Sequence, residues 1–447
     1  MPEVIGESQV VKIWQDCLPG RHDLQTDDGE PIEIVYPGRP NDDRGADLRD
    51  AVIATRRGLL KGDVEVHVRS SGWWAHHHHE DPAYNRVILH VVFWHDTAAP
   101  VNLEDGRQVP TLALQRCLVG RAEPAGLPRR RPVACRNGLT GRSERAGMVL
   151  DRAGEERFEA RSAQFREALD CQEAGEALYG GVMEALGYSK NKPPMAELAR
   201  RLPLKRLEAA ASGVVTATGR LAAYQAWLLG TAGLLPSQRH GLHRNGSEGD
   251  AWVKTLEGIW GSAPEKDAMT EGDWHVFKVR PGNLPVRRLA AMGHLLRRYG
   301  KEGLLPGLVG GLENIRLEGG HREMEARLLV SAEGYWARNL DFGLPGGVGL
   351  PALLGRGRAA VIAVNVLLPF AAAWGCPRPG LARKARLIYR DYPALAENTL
   401  ERHMGRQLGL GRRPVGTARR QQGLIHIYRT FCSQGRCEDC PLGGEQR

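Results

Sequence analysis

The segment Gly62-Asp63-Val64-Glu65-Val66-His67-Val68-Arg69 alternates without a break. Val64, Val66 and Val68 fall on one side; Asp63, Glu65, His67 and Arg69 fall on the other. A period of two over β-branched residues specifies a strand with one buried apolar face. Same-side neighbours stand about 7 Å apart along such a strand. Two carboxylates, an imidazole and a guanidinium in one row can bind a metal ion and orient a water molecule. Asp47 precedes a second apolar run, Leu48 to Thr55, and Arg56 to Gly62 is a short connection. The two runs are expected to pair as an antiparallel hairpin, which sets Asp47 and Glu65 on adjacent strands. Carboxylate oxygens are hard ligands for Mg²⁺ or Mn²⁺, and such an ion supplies a nucleophilic water and relieves charge at phosphorus. The structural alternative is a pair of solvated acids near a sheet edge.

Other residues extend this set. Glu7, Val10, Val11 and Trp14 share one helical face at i, i+3, i+4, i+7 spacing. A carboxylate on the apolar side of a helix is costly unless it is paired or employed. Glu7 is therefore expected as a third acid. His76, His77, His78, His79 and Asp81 follow the alternating strand. They read as a metal site, as donors to a phosphate, or as a polar loop rich in histidine; neutral imidazole prefers Zn²⁺ and later transition metals. His90 lies in an apolar strand and reads as a satisfied core histidine more readily than as a ligand. Trp73 and Trp74 are placed to stack on a base or to pack over the sheet edge. Near the C-terminus Cys432, Cys437 and Cys440 form C-x4-C-x2-C. Thiolates at that spacing select Zn²⁺ or an iron–sulfur cluster, with Cys376 or His426 as a candidate fourth ligand. An incidental structural role for the three thiols is the alternative.

These residues need elements to position them. The chain has 447 residues, enough for two or three domains. Its hydrophobic share of 42% and charged share of 25% are those of a globular protein rather than a disordered one. Glu7 to Trp14 reads as a helix, Ile32 to Tyr36 as a strand, and Val87 to His95 as a strand buried on both faces. Leu112 to Val119 is a helix or a further strand. Arg121 to Arg136, rich in Pro, Arg and Gly, marks a boundary. Beyond it helical spacing dominates: Ser143 to Leu186, Met195 to Leu202, Leu207 to Thr216, Leu221 to Leu229, Pro285 to Tyr299, Ala359 to Trp374, Arg383 to Tyr389 and Ala418 to Phe431. The expected fold class is α+β: an N-terminal mixed α/β domain over residues 1–120, a linker at 121–142, and a mainly α-helical region at 143–447 ending in the cysteine motif.

A net charge of +9 favours an acidic partner, and nucleic acid is the usual one. Arginines 383, 386, 390, 402, 406, 412, 413, 419 and 420, with Lys384, add a basic C-terminal region that is either a phosphate-binding face or a solvated surface. No secretory signal and no uncharged apolar run of membrane-spanning length stands out, and eight cysteines in so long a chain do not make a disulfide scaffold. A cytoplasmic location without membrane attachment is the expectation.

The pattern Glu7 with Trp14, Asp27 to Gly29, Gly38 with Asn41, Gly45-Ala46-Asp47, Gly62 to Val68, Ser70-Ser71 with Trp73, His79 with Asp81, Tyr84-Asn85 and Val87 to Val92 resembles an uncharacterised bacterial family, domain of unknown function 2851. The resemblance continues through Gly187-Tyr188-Ser189-Lys190-Asn191, Arg280-Pro281-Gly282-Asn283 with Arg287-Arg288, Asp341-Phe342-Gly343, Asn365 to Pro369 and Gln422 to Ile425. Within the histidine run it singles out His79 and Asp81 as the metal candidates. The family's name implies no activity. A second resemblance does: a helical Glu, an Asp, then Glu-x-Lys across a hairpin is similar to the core of the PD-(D/E)XK nuclease superfamily. It implies Glu7 as the helical acid, Asp47 and Glu65 as metal ligands, and His67 where the superfamily has Lys; Ala46 stands where it often has Pro. Arg69 or Lys61 is a candidate for the missing cation. The C-terminal cysteines resemble the start of the cysteine loop of helix-hairpin-helix DNA glycosylases, without its fourth cysteine.

Together these readings imply a metal-dependent nuclease-like hydrolase of nucleic acid, with Glu7, Asp47, Glu65 and His67 catalytic. Two alternatives stand beside it. One is a non-enzymatic nucleic-acid-binding protein whose nuclease-like site has decayed. The other is a Zn²⁺-dependent hydrolase of a small substrate acting through His67, His79, Asp81 and His90.

Overall fold

The computed structural model describes residues 5–17, 24–115, 143–239, 250–264, 266–276, 279–346, 349–375, 378–410 and 415–442. The chain divides into two units. The first is Met1–Gly154, Glu397–Gly416 and Arg420–Arg447; the second is Glu155–Ala396 with Thr417–Arg419. The fold class is α+β, with the sheet in the first unit and helices predominating in the second. Residues 121–142, read as a linker, lie outside the described residues. The partition differs from the sequence expectation at the other end: the segments from Glu397 onward mostly join the N-terminal sheet.

The sheet contains strands β1 (Leu24–Gln25), β2 (Pro31–Tyr36), β3 (Arg39–Pro40), β4 (Leu48–Thr55), β5 (Gly58–Arg69) and β6 (Val87–Trp94). A short hairpin, β7 (Val101–Asn102) with β8 (Gln108–Val109), stands apart, and β9 (Thr111–Ala113) closes the sheet. The order is β1-β2-β4-β5-β6-β9, with β3 also paired to β4. β4 and β5 form the expected antiparallel hairpin, pairing Thr55 with Gly58 and Leu48 with Val64. β6 runs parallel to β5 and sets His90 beside Glu65. A parallel neighbour requires a crossover, and residues 70–86 make it.

Helix α1 (Glu7–Cys17) buries Val10 and Trp14 against Ile34, Leu48, Val64, Val66, Leu89 and Val91. Trp14 also donates its indole N–H to the Pro37 carbonyl at 2.8 Å. Two buried aromatic and β-branched side chains on one helical face, meeting valines at period two, explain why α1 lies on the apolar side of β5. The expectation for the opposite side needs correction. The face carrying Asp63, Glu65 and His67 is not wet; these side chains are buried. The crossover covers them, through a one-turn helix, α2 (Gly72–Ala75), and 3₁₀ turns at His78–Glu80 and Pro82–Tyr84.

A second apolar cluster in the first unit joins Tyr36 and Val52 to Ala146, Leu150, Met404, Leu424, Ile427 and Tyr428. Helix Ala418–Thr430 supplies the last three. The core of the second unit centres on helices Ala217–Thr231, Pro285–Tyr299 and Arg356–Trp374. The last passes through a π-helical turn at Ala363–Leu367. It is long and apolar enough to cross a membrane by composition, and 72% of its apolar window is buried.

Candidate metal centre

The elements converge on one cluster. Asp47 lies one residue before β4, and Glu65 lies on β5. The Asp47 backbone N–H donates to Glu65 Oε2 at 3.0 Å, and the Val66 N–H donates to Asp47 Oδ2 at 3.1 Å. This reciprocal pair fixes both carboxylates. Glu65 Oε1 turns toward imidazoles: His78 Nε2 stands 3.1 Å away and His67 Nε2 3.7 Å away. The His78 contact lacks the alignment of a hydrogen bond. His67 Nε2 is also 3.0 Å from His76 Nδ1. One nitrogen from each of His67, His76 and His78 lies within 4.8 Å of the others.

Close approach of the crossover makes this possible. A Cβ on Gly72 would sit 2.7 Å from His67 Cδ2, so glycine lets α2 lie directly over that ring. The backbone of His77 takes the left-handed conformation, φ +57°. His78 enters its 3₁₀ turn and stacks on Tyr84, ring centroids 3.9 Å apart. Trp73 is buried against His78 and His90 and donates to the Asn102 carbonyl. Of the two readings for Trp73, packing over the sheet is the one observed.

Burial dominates the electrostatics. It pushes the Asp47 carboxyl up to about 7, helped by the charge of Glu65 and opposed by the Val66 N–H. It pushes Glu65 up to about 8, opposed by the Asp47 N–H. Burial takes His67 down to about 3, with His78 and His76 adding to the fall. His78 is lowered by burial too, against the pull of Asp47, Asp81 and Glu7. Acids held toward neutrality beside imidazoles held neutral leave the cluster short of positive charge. A cation would restore the ionised acids and use the imidazole lone pairs.

The spacing fits such an ion. Ligand bonds of about 2.1 Å in a tetrahedral shell hold donor atoms about 3.4 Å apart; His67–His76 at 3.0 Å, Glu65–His78 at 3.1 Å and Glu65–His67 at 3.7 Å bracket that spacing, and the imidazole trio stays within 4.8 Å. Three nitrogens and carboxylate oxygens suit Mn²⁺ or Zn²⁺ better than Mg²⁺, which demands oxygen and water. Behind His67, its Nδ1 is 2.9 Å from His90 Nε2. His67 can present the Nε2 lone pair only with its proton on Nδ1, donated to His90. His90 then carries its own proton on Nδ1, a buried atom without an acceptor. Burial lowers His90 well below the ordinary histidine range. This completely buried histidine thus orients the ring in front of it.

The remaining sequence candidates fall outside the trio. Glu7 is exposed at the start of α1 rather than on its buried face, where its charge favours the helix dipole and raises Asp47 and Glu65. His79 faces Glu80 at 3.3 Å. Asp81 caps the Pro82–Tyr84 turn and pairs with Arg44 at 3.0 Å. Lys61 donates to Gln434, and Arg69 lies 3.8 Å from Asp96, so each candidate cation is engaged elsewhere. His67 itself is neutral and does not supply the charge of the superfamily's Lys. Cys432 and Cys440 are buried in the cluster with Tyr36 and Tyr428, Cys437 is half-buried, and Cys376 lies outside the described residues. His76 and His78 are the members that the sequence reading did not select. The run of four histidines was its only signal, and the register of a 3₁₀ turn decides which rings face inward.

The fold and cluster define a class: an α+β protein whose mixed sheet carries a buried carboxylate–imidazole centre beneath a crossover. The chain belongs to the family described as protein of unknown function, DUF2851, whose model matches residues 7–388. No curated protein and no solved structure matches it.

Proposed function

We propose that the first unit is a divalent-metal-dependent hydrolase of nucleic-acid phosphodiesters. The observation that carries this reading is the convergence of Asp47 and Glu65 with His67, His76 and His78. When bound, Mn²⁺ or Zn²⁺ supplies Lewis acidity and an activated water. Glu65 and the three imidazoles would hold the ion, with Asp47 fixing Glu65 and adding a carboxylate and His90 setting the His67 tautomer. His76 and Glu7 are exposed, and the charge of Glu7 acts on Asp47, Glu65 and His78. The net charge of +9 suits a polyanionic substrate.

The test is cleavage of single- and double-stranded oligonucleotides by metal-stripped protein resupplied with Mn²⁺ or Zn²⁺. Asp47→Ala and Glu65→Ala should each lower the rate by at least about a hundredfold and leave the circular dichroism spectrum unchanged. Undiminished cleavage by both variants would remove this mechanism.

A second reading is a nucleic-acid-binding protein without hydrolytic activity. The neutral imidazole at position 67, where the resembling superfamily has a cation, favours it. It predicts oligonucleotide binding that is retained after metal stripping, with no cleavage on resupply.

A further inference from the structure

Several residues in the second unit that carried the family resemblance play no part in the metal centre. They meet around three arginines. Arg287 is fully buried and donates to the carbonyls of Trp336 at 3.1 Å, Asn339 at 2.6 Å and Pro351 at 2.7 Å. Arg288, 6% exposed, donates to the Leu353 carbonyl and to Asn283 Oδ1. The Arg358 guanidinium lies 4.1 Å over the ring of Tyr188. All these partners are neutral. Among the described residues no carboxylate pairs with any of the three, and the Nε of each is buried without an acceptor. Arg288 feels both of the others: burial, then Arg358 and Arg287, lowers it to about 9, and burial lowers Arg358 to about 10 against the pull of Tyr188. All remain cationic at neutral pH.

Burying a cation without a counter-charge costs several kcal/mol. One arginine bracing three carbonyls is a reasonable structural device, and Arg287 is that brace. Structure alone does not require two further guanidiniums beside it. The surface side of the cluster is also built under constraint. Tyr188 is 48% exposed, and its backbone is held at φ +42°, a conformation non-glycine residues rarely adopt. Preceding it, Gly187 has no room for a side chain: a Cβ there would lie 2.1 Å from the Asn191 carbonyl oxygen. The tight turn therefore holds the aromatic ring outward, under Arg358.

We propose that Arg288, Arg358 and Tyr188 form an oxyanion site for a phosphate group, with Arg287 as its internal brace. Arg358 donates no hydrogen bond among the described residues, and a planar guanidinium with free N–H donors matches phosphate oxygens bidentately. A local charge of three suits a phosphate dianion better than a single carboxylate. The group could arrive as free phosphate, on a nucleotide, or on a nucleic-acid strand. This site is independent of the metal centre.

The test uses the full-length protein kept in EDTA, so that failure of the metal reading does not affect it. Binding of inorganic phosphate, a 5′-mononucleotide and a single-stranded oligonucleotide is followed by calorimetry and thermal shift, with acetate as the control. At least one phosphate probe should raise the melting temperature at millimolar concentration, and acetate should not. Arg358→Met should match or exceed the wild-type melting temperature without ligand and bind at least about tenfold more weakly. If that variant does not fold, Tyr188→Ala, at a half-exposed position, should show the same loss. Tighter binding of the oligonucleotide assigns the site to nucleic acid; equal binding of all three probes assigns it to phosphate itself. No shift with any probe, an acetate effect equal to that of phosphate, or unchanged affinity in the variants would overturn the proposal.

Discussion

At the scale of residues, the metal centre is governed by what a buried charge requires. Asp47 and Glu65 must both be ionised to hold an ion, yet their environment favours the protonated forms up to about 7 and about 8. Metal binding must therefore displace protons. Affinity for Mn²⁺ or Zn²⁺ is expected to fall as pH drops below 8, by up to about tenfold per unit for each proton displaced, and to level off above 8. Calorimetry in buffers of different ionisation enthalpy should count released protons at pH 7; a count of zero would contradict this assignment. Gly72 provides a second check. The His67 ring is wedged between His90 and His76 and cannot yield to a new Cβ 2.7 Å away. Gly72→Ala should cost ~1–3 kcal/mol in chemical denaturation and weaken metal binding. The alternation around Glu65 and His67 made these residues legible without coordinates. His78 was not legible in the same way, because four identical neighbours differ only in where a turn points them.

At the scale of elements, β5 is the organising strand because both of its faces are covered. Its valines meet α1, as period two predicts, and its polar row is covered by the crossover. Sequence periodicity identifies which residues share a face, but not whether a later segment folds over it. Helix Ala418–Thr430 illustrates the same point at long range. Its helical spacing was readable, and its partner was not. Leu424 packs in the cluster with Tyr36 and Val52, and the Tyr428 hydroxyl donates to Asp50 Oδ2 at 2.8 Å. Leu424→Ala should therefore destabilise the N-terminal sheet by ~2–5 kcal/mol. Hydrogen exchange should show faster exchange in β2 and β4; unchanged exchange there would count against this packing.

At the scale of the whole molecule, metal bears on the first unit, whereas acid bears on both units through their buried histidines. Metal is expected to stabilise the first unit. Acid is expected to destabilise the second through His294, which is buried on helix Pro285–Tyr299. Burial, then Arg297, lowers its ring to about 4. A lowered folded value means that its contribution is fully present above 6.5 and is lost as pH falls toward 4. The loss amounts to at most ~3 kcal/mol. His294→Leu should flatten that part of the stability–pH curve measured by denaturant unfolding; an unchanged slope between pH 6.5 and 4 would exclude His294 as its source.

The amino-acid sequence by itself determined the α+β class, the β4–β5 hairpin, the helix before it and the pairing of Asp47 with Glu65. Each follows from local periodicity or from a short connection. Tertiary structure alone decided that the polar row is buried, that His76 and His78 rather than His79 and Asp81 face it, and that the C-terminal helix completes the first unit. It also decided that Arg287, Arg288 and Arg358 meet without an acid among the described residues. These outcomes depend on which distant segment covers which face, and only the folded chain sets the burial and charge that such covering creates.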